Sequence, residues 1–276
     1  MSLKGVAKQT LALLEAGKYV APSGARVSIA RAQAAAVARS RLYTPDEVAA
    51  LVAEAAPGGA LPMIELTAET TQEASRRLCL AGDADVVALN FASARNPGGG
   101  FLKGARAQEE ELCRCSGLYP ALLEHRTYYE VNRAESSLIY TDHMIYAPGV
   151  PFFRVHSRDE LLEEPFLVGV ISAPAPNAGP LLRRDPSAGP AIRAAFTRRW
   201  CNVLAVAEAN GGRRLVLGAW GCGAFHNDPR IAAESLAEAL DSGRFNGSFD
   251  QITLAIPDRG KSSDNLRAFR ICFSRF

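Results

Sequence analysis

Apolar segments that read as β-strands alternate with segments of helical periodicity from Met63 to the end of the chain. The strand-like runs include "MIELTAE", "DVVALNFAS", "FLVGVISAPAP", "RRLVL" and "QITLAIPD". Between them lie helix-like runs such as "TTQEASRRLCL", which Thr70 or Thr71 can cap, and residues 188–210. This alternation predicts a three-layer α/β/α sandwich with a mixed sheet. In such sheets, ligands bind at the edge formed by the carboxyl ends of the strands.

The first 60 residues have a different composition, rich in alanine and arginine. They predict helices over 4–16, 30–40 and 45–56, the last one capped by Thr44. We therefore expect residues 1–60 to form a helical extension that packs on a domain of residues 61–276.

Charge and cysteine content exclude several classes of protein. The chain has 276 residues and a formal net charge of +2, so no overall field calls for nucleic acid or a membrane surface. Its longest apolar runs are too short to span a bilayer, and its N-terminus lacks the apolar core of a secretory signal. The six cysteines are scattered, unlike a disulfide framework, which favours the reducing cytoplasm. An anionic partner would therefore have to be bound by particular groups in a site, not attracted by the overall charge of the protein.

Two glycine-rich loops follow strand-like segments, "NPGGGF" and "GAWGCGAF". Taken alone, either loop is compatible with a flexible surface turn. Between a buried strand and a helix, however, glycine backbone N–H groups can hold an anion or sugar oxygens. The pair of loops therefore indicates a site for an anionic, sugar-containing ligand.

Four consecutive polar residues, Gln108, Glu109, Glu110 and Glu111, follow the first loop. Acids at a helix N-terminus gain roughly 0.3–1 kcal/mol each from the helix dipole, which explains one or two of them. It does not explain a run of three beside a loop suited to an anion. A carboxyl group that is partly desolvated there would have a raised pKa and could stay protonated near neutrality. Such an acid is what cleavage of a glycosidic bond requires.

The segment "GGGFLKGARAQEE", with "NFASARNPGGG", "APAPN" and "GAWGCGAFHNDP", resembles the bacterial type of poly(ADP-ribose) glycohydrolase. The resemblance extends from the N-terminal helices to "LAIPD". It implies the ADP-ribose-binding macrodomain fold and hydrolysis of the ribose–ribose O-glycosidic bonds of poly(ADP-ribose), with release of ADP-ribose. That activity would serve polymer degradation in the DNA damage response, with no cofactor.

The resemblance also implies roles for individual residues. Glu110 would be the essential acid, Glu109 would bind the ribose next to the scissile bond, and Gln108 would help to hold the site. The first loop would line the same ribose through Gly98, Gly99 and Gly100, with Asn96 as a polar contact nearby. The second loop would cradle the diphosphate through Gly221, Cys222, Gly223, Ala224 and Phe225, and Phe225 would also pack on a ribose or base unless it is a core residue.

Helix geometry supports different roles for the two acids. Adjacent residues point in different directions, so Glu109 and Glu110 cannot flank one bond as a symmetric pair. We expect Glu110 to protonate the departing 2′-oxygen, a sugar cation of oxocarbenium type to form, and the Glu110 carboxylate then to activate water. This hypothesis places the uncharged carboxyl at Glu110.

Three other functions are compatible with the same motifs. A non-catalytic macrodomain would bind ADP-ribose with the same loops but would not need a desolvated acid. A mono-ADP-ribosyl-protein hydrolase would release an amino-acid side chain instead of a ribose. A nucleotide-processing α/β protein would bind free nucleotides equally well. The expected partners are poly(ADP-ribose), ADP-ribose and ADP-ribosylated proteins, and the expected state is a monomer.

Several other residues carry weaker signals. Cys113, Cys115, Cys222 and His226 lack the paired spacing of a structural zinc site, so no metal is expected. The aromatic residues of "RTYYEVNR" are expected at the rim of the cleft rather than on a nucleic acid. The arginine pairs of "LLRRD" and "TRRW" are expected at solvated helix and loop ends.

Overall fold

A computed structural model describes residues 2–56, 58–82, 85–258 and 262–275. The strands are β1 (Lys18–Val20), β2 (Arg26–Ser28), β3 (Arg41–Tyr43), β4 (Met63–Thr67), β5 (Val86–Phe91), β6 (Met144–Phe152), β7 (Phe166–Ala173), β8 (Arg214–Leu217) and β9 (Gln251–Ala255). The helices are α1 (Leu3–Ala16), α2 (Ala30–Ala38), α3 (Pro45–Val52), α4 (Thr71–Leu80), α5 (Gln108–Cys115), α6 (Leu118–Leu123), α7 (Arg126–Ala134), α8 (Ala178–Arg184), α9 (Gly189–Ala209), α10 (Pro229–Asp241) and α11 (Ser262–Cys272). Within these ranges, no helix combines the length and apolar character needed to cross a membrane.

Seven strands form one mixed sheet in the order β3-β6-β7-β5-β8-β9-β4. From β4 to β7 every neighbouring pair is parallel, and β6 and β3 continue the sheet with antiparallel pairing. The predicted mixed α/β sheet is therefore confirmed. Because the central strands are parallel, their carboxyl ends meet at one edge of the sheet, where a ligand site is expected.

Helices cover both faces of the sheet, as the alternation of buried side chains in β5 shows. Val87 and Leu89 point into a core shared with α9, α10 and α11. Val86 and Ala88 point into the opposite core, which α4, α5, α6 and α7 close. A strand buried on both faces reads as a continuous apolar run, which explains the sequence of β5.

The N-terminal segment contains the three helices predicted for it, and Thr44 caps α3 by accepting a hydrogen bond from the N–H of Glu47. It is not helical throughout, because β1 and β2 form a hairpin and β3 pairs with β6 at the edge of the main sheet. Strands of three residues are too short to show a period-two pattern, so they could not be recognised from the sequence. The division at residue 60 stays a prediction.

The expectation for "RTYYEVNR" was wrong. This segment forms α7, and Tyr128 and Tyr129 are buried in the core behind the sheet rather than at the rim of a cleft. Their rings contact each other edge to face, with centroids 4.7 Å apart. The buried face of α7 consists of Tyr128, Tyr129 and Asn132, and the charged residues around them in the sequence made the whole segment look exposed.

Arg199 was also assigned wrongly, as a solvated helix residue. It is fully buried, and its guanidinium donates hydrogen bonds to a carboxylate oxygen of Asp142 and to the carbonyl oxygens of Tyr140 and Pro174. Arg198, by contrast, is half exposed and reaches the same Asp142 from outside. Arg199 thereby connects α9 to the segments that precede β6 and follow β7.

Candidate active site

A cleft of about 1380 Å³ lies at the edge of the sheet where the parallel strands end. Its lining includes Thr71 after β4, Ser93 after β5, Ala175 after β7, Gly221 after β8 and Ile256 after β9. The two glycine-rich loops, which are more than 100 residues apart in the sequence, thus form walls of one cavity. The mixed sheet itself brings them together.

The first glycine loop leaves room for the carboxylates that follow it. Gly98 and Gly99 adopt φ values of +65° and +57°, which favour glycine. A Cβ atom at Gly99 would lie 2.5 Å from Oε1 of Glu110 and 3.0 Å from Oε2 of Glu109. Glycines and glutamates are close in the sequence because the backbone of the loop and both carboxyl groups occupy adjoining space.

The acidic run forms the first turn of α5, and its side chains diverge by about 100° per residue. Glu111 points away from the loops, accepts hydrogen bonds from the N–H and Oγ of Ser157, and forms an ion pair with Arg114. Although burial acts in the opposite direction, these contacts together lower the pKa of Glu111. Glu111 is therefore a structural anchor of the helix.

Gln108 fixes the start of α5 to the end of β5. Its Nε2 donates to the carbonyl oxygen of Leu89 at 2.8 Å and to Oγ1 of Thr71 at 3.1 Å. Its Oε1 accepts a hydrogen bond from the N–H of Phe91 at 2.8 Å. All these bonds are made to the protein, which explains why a glutamine, with both a donor and an acceptor, occupies this position.

Glu109 is buried directly beneath the loop, with 3% of its surface exposed. Its Oε2 accepts a hydrogen bond from the N–H of Ser93 at 2.8 Å, and its Oε1 accepts a longer one from Nδ2 of Asn90 at 3.3 Å. Burial raises the pKa of Glu109 to about 8, against the effect of the hydrogen bonds from Ser93, Asn90 and Gly98, and the charge of Glu110 raises it further. A proton is thus held in the site at neutral pH.

The raised pKa of Glu109 makes the stability of the protein depend on pH. Folding favours the protonated form, so this contribution to stability is complete below pH 4.5, the ordinary pKa of a glutamate, and is lost as the pH rises to about 8. A rise of that size corresponds to about 5 kcal/mol at most. We expect the Glu109→Gln variant, which cannot ionise, to gain stability relative to the original protein across this range.

Denaturant unfolding between pH 4.5 and 8.5 tests this expectation. The exposed Glu130→Gln variant is the matched control, for which the difference in unfolding free energy should stay within about 0.5 kcal/mol at every pH. A difference for Glu109→Gln that does not change with pH would contradict a raised pKa at this position.

Glu110 lies against the loop with one oxygen fixed and the other open. Its Oε1 accepts a hydrogen bond from the N–H of Gly100 at 2.8 Å, and 7% of the residue is exposed. Its Oε2 receives no hydrogen bond from the described residues, and Glu110 lines the cleft. This carboxyl group is consequently held in place while one oxygen stays available to a ligand.

The remaining residues predicted for the first loop lie around this carboxyl group. Gly99, Gly100 and Asn96 line the cleft, and Asn96 is exposed on its wall. Gly98 is buried and does not line the cleft, because its Cα faces the ring of Tyr119 and the thiol of Cys113. Its role is to turn the backbone.

The second loop, residues 218–228, connects β8 to α10 and presents its backbone to the cleft. Gly221, with φ at +74°, and the exposed Gly223 and Ala224 line the cavity. The side chain of Asn227 holds the loop by donating to the carbonyl oxygens of Gly221 at 2.9 Å and Pro176 at 2.7 Å. The loop is therefore fixed before any ligand arrives.

Phe225 and Cys222 take different positions in this loop. Phe225 lines the cleft, and one side of its ring faces Tyr140, with 6.2 Å between the ring centroids. Its position therefore combines the two that were predicted, contact with a ligand and packing against the core. Cys222 does not line the cleft, and its thiol donates to the carbonyl oxygen of Trp220. Only the main chain of Cys222 can belong to a cradle.

The cysteines and histidine considered for zinc do not converge. Cys113 and Cys115 are buried in the core on one side of the sheet, and Cys222 packs against the other core. Among the residues that the structure describes, no group of three or more His, Cys, Asp or Glu side chains is arranged to hold a metal ion.

The residues that support the acids were not predicted from the sequence. Asn90 and Ser93 bind Glu109, and Asn227 holds the second loop. Asn90 also donates to Oγ of Ser172 at 2.9 Å. A polar residue at the end of a strand that is otherwise wholly apolar was the available signal for Asn90.

Comparison with known proteins identifies the family. The sequence profile of the microbial-type PARG catalytic domain matches residues 7–155. The poly(ADP-ribose) glycohydrolase of Thermomonospora curvata is 44% identical over 98% of this chain and 99% of that one, with a TM-score of 0.91. The chain belongs to the microbial-type poly(ADP-ribose) glycohydrolases.

Two further structures of such glycohydrolases contain ligands. The T. curvata enzyme bound to the inhibitor ADP-HPD is 43% identical, with a TM-score of 0.90, over 98% of this chain and 99% of that one. The Deinococcus radiodurans enzyme in complex with ADP-ribose is 42% identical, with a TM-score of 0.80, over 88% of this chain and 96% of that one. None of the curated proteins matches the chain.

Membership of this family confirms the sequence-based predictions of fold class and activity. The protein is a glycosidase that hydrolyses poly(ADP-ribose), rather than a binding module without activity. Its mixed seven-stranded sheet, with helices on both faces, is that of a macrodomain-like fold.

Proposed function

We propose that Glu110 is the general acid and base of poly(ADP-ribose) hydrolysis in this protein. One observation carries the proposal: the carboxyl group of Glu110 lies in the cleft that both glycine loops line, with Oε1 fixed by the N–H of Gly100 and Oε2 open. Glu109 and Glu111 have both oxygens engaged by the protein, so neither offers the same freedom.

The two loops would bind one ADP-ribose unit between them. The N–H groups of residues 221–225 would hold the diphosphate, since a glycine loop that leads into the helix α10 is suited to an anion. Gly99 and Gly100 would contact the distal ribose, with Asn96 as a polar contact and Phe225 against the sugar. The ADP-ribose complex of the D. radiodurans relative supports this choice of ligand.

The reaction would proceed in two steps. Glu110 donates its proton to the 2′-oxygen that leaves, the bond from the anomeric carbon to that oxygen breaks, and the bonding electrons stay on the oxygen. The anomeric carbon is left with positive charge, which the adjacent diphosphate stabilises. The Glu110 carboxylate then removes a proton from water as the water oxygen bonds to that carbon, which restores the acid and releases ADP-ribose.

Glu109 would support this cycle without donating to the leaving group. It is protonated at neutral pH, because its pKa is about 8, so it adds no negative charge next to Glu110. Glu109 lines the cleft, and the O–H group of a neutral carboxyl can donate to a ribose hydroxyl while its oxygens accept hydrogen bonds from the protein. Glu109 would thereby orient the sugar.

The carrier of the polymer, the oligomeric state and the cellular compartment are part of the same proposal. We propose that the polymer is presented on ADP-ribosylated proteins and that the enzyme acts as a monomer in the cytoplasm. The scattered cysteines support a reducing compartment such as the cytoplasm.

A crystal soaked with ADP-ribose tests the proposed arrangement. We expect the diphosphate within hydrogen-bond distance of the N–H groups of residues 221–225 and the anomeric carbon next to Oε2 of Glu110. A distal ribose bound away from Glu110 would overturn the assignment of this residue. A diphosphate bound elsewhere would overturn the role of the second loop.

A further inference from the structure

The cleft that contains Glu110 is also lined by a group of basic side chains. Lys103, Arg106 and Arg158 form this group, and all three are exposed. We call these three residues the basic platform. Its Lys103 belongs to the turn that holds the carboxyl group of Glu110, because the N–H of Lys103 donates to the carbonyl oxygen of Gly100, whose own N–H binds Glu110.

A buried arginine holds the platform together. Arg114, with 1% of its surface exposed, donates to the carbonyl oxygen of Ala105 at 2.9 Å and to Oγ of Ser157 at 2.6 Å. Ala105 and Ser157 are the neighbours of Arg106 and Arg158 in the sequence. One guanidinium group thus fixes the two backbone segments that carry these arginines side by side.

The charges of the platform are not neutralised by the protein. Within the described chain, none of its three residues takes part in an ion pair. Two acids that line or border the cleft have other partners: Glu111 binds Arg114 and Ser157, and Glu73 binds Thr70 and His156. The active-site cleft is therefore lined by three cations without an ion-pair partner among the described residues, although the formal net charge of the chain is only +2.

From this arrangement we infer that the basic platform is a subsite for the diphosphate of the polymer segment that leaves. The inference rests on the proposed role of Glu110. The departing 2′-oxygen belongs to an adenosine that carries its own diphosphate, and that group extends from the Glu110 side of the scissile bond. The ADP-ribose unit that is released has its diphosphate on the second loop, so the platform is free to bind the next one.

The size of the cleft supports a second subsite. Its volume of about 1380 Å³ exceeds the roughly 300–1000 Å³ of typical pockets for one small ligand. The two diphosphates would also be held differently. Main-chain N–H groups define the position of the first, whereas flexible exposed side chains attract the second without fixing its geometry. The platform would therefore favour polymer over single ADP-ribose units.

Two substrates separate this subsite from the rest of the active site. One is poly(ADP-ribose), and the other is an ADP-ribose whose anomeric carbon carries 4-methylumbelliferone, which has no diphosphate on the leaving side. We expect the triple variant Lys103→Ala, Arg106→Ala and Arg158→Ala to lower kcat/KM for the polymer about tenfold, mainly through KM. For the polymer, log kcat/KM decreases as log salt concentration increases. The magnitude of this negative slope should be smaller by about two in the triple variant. Turnover of the umbelliferyl compound should stay within about twofold of the original protein.

A control variant removes the same charge elsewhere. Arg31→Ala, Arg183→Ala and Arg270→Ala replaces exposed residues outside the cleft and should leave both substrates unaffected. Unchanged polymer kinetics in the platform variant, or an equal loss on both substrates, would overturn the subsite. If Glu110 is not the general acid, a different result is expected, because the Glu110→Gln variant would then still hydrolyse both substrates.

Discussion

Replacing Glu110 with glutamine is expected to lower kcat for poly(ADP-ribose) by about 10²–10⁴-fold, which is the usual contribution of a positioned general acid or base. Glutamine keeps an oxygen for the hydrogen bond from the N–H of Gly100, so the loop should retain its shape. The other oxygen, which receives no hydrogen bond from the described residues, becomes an amide that cannot protonate a leaving group. The change removes the proton and little else.

Two measurements separate loss of chemistry from loss of structure. Calorimetric binding of ADP-ribose to the Glu110→Gln variant should stay within a few-fold of the original protein, because the substitution leaves the second glycine loop, the proposed site of the diphosphate, unchanged. The control is Glu124→Gln, an exposed glutamate at the end of α6, which should leave kcat unaffected. Near-normal release of ADP-ribose from polymer by the Glu110 variant would show that another group supplies the proton.

The sequence predicted the architecture of the domain because long elements leave a clear period. The runs around β5, β7 and α9 are each apolar over enough residues to decide between strand and helix. The edge strand β3 has three residues, and its place in the sheet depends on pairing with β6, about 100 residues later. Pairing over such a distance is a tertiary contact that local pattern does not encode.

The candidate site was predictable as a set of residues but not as a set of protonation states. The sequence motifs identified the two glycine loops and the acidic run, and residues of all three segments line the cleft. Which carboxyl group has a raised pKa depends on burial and hydrogen bonds, and the structure gives that property to Glu109. The uncharged carboxyl at Glu110 stays a prediction. The raised pKa of Glu109 could not be foreseen, since two adjacent glutamates look alike until their neighbours in space are known.

Charged residues within helices produced the clearest errors. Arg199 and Arg198 are adjacent and chemically identical, yet Arg199 is fully buried on Asp142 and two carbonyl oxygens. Arg199 can be buried because those three acceptors converge from the segments around β6 and β7. That convergence is a property of the fold, so the exposure of one arginine and the burial of the other could not be read from "TRRW".

Replacing Gly99 with alanine is expected to abolish most activity, although it adds a single methyl group. The new Cβ would lie 2.5 Å from Oε1 of Glu110 and 3.0 Å from Oε2 of Glu109. One or both carboxyl groups must then move, and displacement of a catalytic group by about 1 Å costs about 10²-fold. Backbone strain adds to this, because alanine at a φ of +57° costs roughly 1–2 kcal/mol.

Gly149 offers a control that separates strain from steric conflict. Its φ is +55°, nearly the same as that of Gly99, but no atom lies within 4 Å of the position where its Cβ would be. Gly149→Ala should therefore lose a similar amount, roughly 1–2 kcal/mol of unfolding free energy, while kcat stays unchanged. If both variants lost activity equally, the effect would be general destabilisation. If neither did, the carboxyl groups would have to be free to move without loss of function, which would exclude a fixed position of Glu110 from the mechanism.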